Sequence, residues 1–167
     1  MGMAMNPRGK QVTSAFGVAA GITASVALGL TAPMAHADDN YQRFASPSGN
    51  IRCILAGPST PQPGVMCQIT DVTYSVAPGT ARDQNGAACP PDSDGGHDFR
   101  LDQGASSYVT CTYSAIGSGF GDWQPVDYGQ ARSLGSISCE SEADGMVCTD
   151  AGTGHFFRVS RDSYQLG

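Results

Sequence analysis

Six cysteines, two histidines and one tryptophan are the side chains through which the region after residue 37 could do chemistry. The cysteines are Cys53, Cys67, Cys89, Cys111, Cys139 and Cys148. An even set in a small exported chain reads as a disulfide framework, and a paired sulfur is neither a nucleophile nor a zinc ligand. No C-x-x-C spacing is present, so zinc and thioredoxin-like chemistry are not indicated. His155, in Thr153-Gly154-His155-Phe156-Phe157, could act as a base if Asp150 oriented it and a serine served as nucleophile. No G-x-S-x-G elbow accompanies it after residue 37, so a histidine that closes a turn is the simpler reading. His97 lies in Asp92-Ser93-Asp94-Gly95-Gly96-His97-Asp98, whose alternating acids would suit a hard cation. An EF-hand loop beginning at Asp92 would place Gly at position 97 and Glu at position 103, where the chain has His97 and Gln103. The segment therefore reads as a solvated acidic turn, and no metal or other cofactor is expected.

The aromatic segment Gly117-Ser118-Gly119-Phe120-Gly121-Asp122-Trp123-Gln124-Pro125-Val126-Asp127-Tyr128 offers binding rather than catalysis. Aromatic rings on a glycine-rich loop can stack on a sugar or anchor a protein partner. Phe120, Trp123 and Tyr128 are the candidate contacts. The competing reading makes Trp123 a lid over one end of the core.

The elements that must position these residues are strands. Apolar side chains alternate over Asn50–Leu55, Gly64–Ile69, Phe99–Asp102, Tyr108–Tyr113, Ser136–Cys139, Met146–Thr149 and Phe156–Ser160. No sustained apolar period near 3.6 marks a helix after residue 37. The expected class is all-β: a small disulfide-stapled β-sandwich or barrel built from hairpins.

Two units echo each other. Gly49-Asn50-Ile51-Arg52-Cys53 and Gly135-Ser136-Ile137-Ser138-Cys139 share G-x-I-x-C. Gly64-Val65-Met66-Cys67 and Gly145-Met146-Val147-Cys148 share glycine, an apolar residue, any residue and cysteine; Asp71 and Asp150 follow them. Residues two apart on a strand share a face, so each cysteine points inward with its apolar neighbour. The echo favours Cys53–Cys67 and Cys139–Cys148 as staples within hairpins, leaving Cys89–Cys111, although six cysteines allow fifteen pairings.

Residues 1–37 read as a signal peptide: Arg8 and Lys10, an uncharged run from Ala15 to Ala32, then Ala35-His36-Ala37 as the peptidase site. Residues 38–167 form one domain. Without Arg8 and Lys10 it carries seven cations and all fifteen acids, a formal charge of −8. Such a chain is repelled by nucleic acid and by anionic membranes, and no second apolar stretch predicts stable membrane insertion after cleavage.

Phe44-x-Ser46-Pro47-Ser48-Gly49-Asn50-Ile51-x-Cys53, Tyr128-Gly129-Gln130, Gly145–Cys148 and Gly154-His155-x-Phe157-x-Val159-Ser160-Arg161 resemble the signatures of a family of small secreted actinobacterial proteins of unknown function. The resemblance implies export and a turn feeding a strand at each signature; it implies no catalytic residues. The expectation is a secreted binding protein, extracellular or associated with the cell envelope, with a protein or glycan partner. An inhibitor of an extracellular hydrolase and a hydrolase using His155 with Asp150 are the alternatives.

Overall fold

The computed structural model describes residues 40–91, 93–117 and 122–167; the expected signal peptide and Phe120 lie outside them. Eleven strands are present among the described residues: β1 Tyr41–Ala45, β2 Ile51–Ala56, β3 Gly64–Ile69, β4 Asp94–Asp102, β5 Tyr108–Thr112, β6 Gln124–Pro125, β7 Ala131–Leu134, β8 Ile137–Glu142, β9 Gly145–Asp150, β10 Phe156–Val159 and β11 Tyr164–Leu166. They form two sheets, ordered β5-β4-β3-β2-β1-β6 and β11-β10-β9-β8-β7. The sheets pack as a sandwich, and neither closes into a barrel.

All seven expected strands are found, and the echo extends further than its motifs. In the first sheet Cys53 lies opposite Cys67, and Cys67 opposite Phe99. In the second, Cys139 lies opposite Cys148, and Cys148 opposite Phe157. Val65 faces Leu101 as Met146 faces Val159. Each sheet thus contains the same antiparallel meander in the same register, with Phe-Arg-Leu at 99–101 matching Phe-Arg-Val at 157–159. Equivalent residues also meet across the sandwich. Sγ of Cys67 is 3.8 Å from Sγ of Cys148, and the rings of Phe99 and Phe157 are 6.1 Å apart. Contacts between like and like are what a two-fold relation between the two units produces.

The glycines of both motifs have a physical role. Gly49 and Gly135 adopt φ of 73° and 65°, the left-handed region that turns the chain into β2 and β8. Gly64 and Gly145 lie where the next strand crowds them. A Cβ at Gly64 would sit 2.8 Å from the Leu101 carbonyl oxygen, and one at Gly145 would collide with that of Val159.

Disulfides join Cys53 to Cys67, Cys89 to Cys111 and Cys139 to Cys148, the pairing that the echo favours. The first and third are wholly buried between the sheets with Ile51, Leu55, Val65, Ile137, Met146 and Val159. The second ties the loop before β4 to β5.

Three sequence expectations are corrected. The acidic turn around His97 is instead the first half of β4, interrupted by a bulge between Gly95 and Asp98. The aspartate echo does not hold, because Asp150 occupies the inward position that corresponds to Ile69, whereas Asp71 is exposed beyond β3. Strands β1, β6, β7 and β11 had no alternating signature. β6 and β7 are exposed at a sheet margin, and such strands bury little side chain to alternate.

Candidate functional site

Asp150 ends β9 and is almost fully buried at 1 % exposure. Its carboxylate is taken up by the fold. Oδ2 accepts the Gly104 N–H at 2.7 Å and the Thr153 hydroxyl at 3.3 Å, while Oδ1 accepts the Gly152 N–H at 2.9 Å. The nearby Ser136 hydroxyl and the Gly104 and Gly152 amides hold the carboxyl down at about 2. Gly104 belongs to the β4–β5 turn of the opposite sheet, so this one side chain ties the two sheets together at that end.

His155 reaches Asp150 through its backbone: the Asp150 N–H donates to the His155 carbonyl at 2.9 Å. Its ring lies 3.5 Å from the Ser106 hydroxyl. Among the described residues the ring has no hydrogen bond to a carboxylate. A serine and a histidine are therefore adjacent, but the acid that would set the imidazole tautomer is engaged by backbone amides.

The aromatic trio is divided. Trp123 is half-buried, its ring over Arg52 with the guanidinium carbon 5.9 Å from the ring centroid. The indole presses on Gly117, where φ is 84° and any Cβ would collide with it. The Gln68 side chain fastens the same connection, donating to the Ser114 carbonyl at 3.0 Å and accepting the Ile116 N–H at 2.8 Å. Trp123 therefore clamps the β5–β6 connection onto the outer face of the first sheet, rather than closing an end of the core. Tyr128 is 53 % exposed and lines a different feature.

That feature is an open polar cleft of about 700 Å³. Ser46, Ser48, Asn50 and Ile51 come from the β1–β2 turn, Glu142 to Gly145 from the β8–β9 turn, and Ser160 to Ser163 from the β10–β11 turn. The first and third turns are held by hydrogen bonds. Ser46 accepts the Ile51 N–H at 3.1 Å. Asn50 clasps Asp71 through both amide atoms, at 2.7 and 3.1 Å. The Ser160 hydroxyl accepts the Ser163 N–H at 3.0 Å, and Thr73 holds Asp162 at 2.9 Å. The rim carries Asp71, Glu142, Asp144 and Asp162 against Arg161, with Arg158 paired to Glu142 and Asp144. A rigid, hydroxyl-rich, net acidic cleft with one exposed aromatic suits a polar ligand held by hydrogen bonds and ring stacking.

One group escapes the sequence reading. Asp98, on the outward side of β4, is 4 % exposed, and its Oδ1 has no hydrogen-bond partner. Burial pushes its carboxyl up to about 6, against the lowering influence of the Gln68 and Thr112 side chains and of His97. The sequence signal was Ile54. It breaks the alternation of β2 by placing an apolar residue on the face that Arg52 assigns to solvent.

Three sulfurs, those of Cys53, Cys67 and Cys148, lie within 4.8 Å of one another, as metal ligands would. All three are in disulfides, which accounts for their proximity. Among the described residues no helix is long and apolar enough to cross a membrane. Comparison with protein-family models, with curated proteins and with solved structures finds no match.

Proposed function

We propose that this chain is an exported binding domain that acts outside the cell or at its envelope, with the cleft beside Tyr128 as its contact surface. One observation carries the reading. Residues of the segments 46–51, 128, 142–145 and 160–163, far apart in sequence, line a single cleft. Three disulfides support an oxidising compartment. The use of Asp150 as a backbone acceptor favours binding over hydrolysis at His155. The ligand is polar and hydroxyl-bearing, of the glycan class, because the acidic rim disfavours anions and Tyr128 offers a face for a sugar ring.

The test is capture of cell-envelope glycans by the wild type, Tyr128→Ala and Trp123→Ala. Tyr128→Ala is expected to lose capture by about tenfold, in line with the loss of one stacking contact and its buried area. Trp123→Ala should retain it. Equal capture by wild type and Tyr128→Ala would sink the proposal.

A further inference from the structure

The two-fold repeat supplies an internal control for the outer faces of the sandwich. On the first sheet one row runs Tyr108, Arg100, Met66, Ile54 and Arg43. The matching row of the second sheet includes Arg158, Val147 and Glu140. There the fold places an exposed glutamate where the first sheet has Ile54, and Arg158 pairs with Glu142 and Asp144. An apolar residue at position 54 is thus no requirement of the architecture.

What Ile54 and Met66 do in the first sheet is floor two adjoining hollows, of about 290 and 320 Å³, that share both residues. Tyr41 stands at the far side of one and Tyr113 at the other; they are 40 % and 70 % exposed. Gly64 also lines the first hollow. The second hollow also has Asp98 in its lining. Oδ1 of Asp98 is buried and has no hydrogen bond of good geometry, although the Gln68 and Thr112 side chains stand beside the carboxylate. The equivalent of Asp98 in the second sheet is Phe156, so the repeat does not call for a carboxylate there either. A buried carboxylate oxygen without a donor is costly to keep, and an apolar trough leading to it has the character of a ligand site.

We infer that this trough binds a small amphipathic amine, its hydrocarbon on Ile54 and Met66 and its ammonium donating to Asp98. The ammonium supplies the donor that Asp98 Oδ1 lacks. Arg100 does not compete for Asp98, because its guanidinium is held by Asp102 at 2.7 Å and Gln62 at 3.1 Å. The site shares no lining residue with the cleft beside Tyr128, so it stands or falls separately from the function proposed there.

The experiment titrates the disulfide-intact protein at pH 7.5 with octylamine and with 1-octanol, following the methyl resonances of Ile54 and Met66. Both methyls are expected to shift. The amine should bind about tenfold more tightly than the alcohol, the scale of a charge-assisted hydrogen bond. Each methylene removed from the amine should weaken binding about fourfold. Asp98→Asn should erase the gap between amine and alcohol. Ile54→Glu, the residue that the second sheet carries, should keep the thermal midpoint and lose both ligands. Absence of methyl shifts, or an amine preference that survives Asp98→Asn, would overturn the inference.

Discussion

Two buried aspartates have opposite environments, and together they set the response of stability to pH. Asp98 is raised from 3.8 to about 6, chiefly by burial. The folded state then holds the proton more tightly than the unfolded chain, so stability falls as pH rises from 3.8 through about 6. Asp150 is lowered from 3.8 to about 2 by hydrogen bonds to its ionised form. Its contribution is complete above 3.8 and is lost as pH falls through about 2. Thermal midpoints measured across pH should therefore peak on the acid side, near pH 4, and decline toward neutrality. Asp98→Asn should flatten the decline and raise stability at pH 7 by about 1–3 kcal/mol. Asp150→Ala should cost about 2–4 kcal/mol at pH 7, because Gly104 and Gly152 lose their acceptor. If neither variant changes the pH profile, the two environments are not as described. Neither behaviour was legible from residue type. Residue type makes Asp150 a candidate catalytic acid, whereas its partner, Gly104, comes from the opposite sheet.

Among the elements, the repeat turns glycine into a test. Gly145→Ala should destabilise by about 2–4 kcal/mol, since β9 would be pushed off β10 by the Val159 carbonyl. Gly49→Ala should cost only about 1–2 kcal/mol, because nothing lies within 4 Å of the added methyl and the penalty is that of left-handed backbone alone. Chemical denaturation of both variants measures the contrast, and equal losses would contradict the close approach at Gly145. Strands whose inner faces are fully buried were readable, since a period of two in burial is a period of two in hydrophobicity. β7 carries no alternating signature because Ala131, Arg132 and Ser133 are all exposed. Alternation marks only the second half of β4, because its bulge shifts the register between Gly95 and Asp98.

Taken whole, the molecule has a core in which two disulfides occupy the centre. Each of the three closes a short loop, with sequence separations of 14, 22 and 9, and each contributes about 3 kcal/mol by the chain-entropy account. Their sum is comparable with the whole net stability of a small domain, about 5–15 kcal/mol. Reduced and alkylated protein should consequently show no cooperative thermal transition by near-ultraviolet circular dichroism; a sharp transition would refute this. The sequence by itself determined the class, the inward faces and the favoured cysteine pairing. Those depend on neighbours two apart on a strand and on hairpins that join cysteines close in the chain. Only the tertiary structure decided that Trp123 is a clamp over Arg52, that Asp150 ties one sheet to the other, and that four distant segments surround one cleft. It also decided that Asp98 is buried beside Ile54 and Met66. Each of these rests on contacts between residues remote in sequence, which no local pattern encodes.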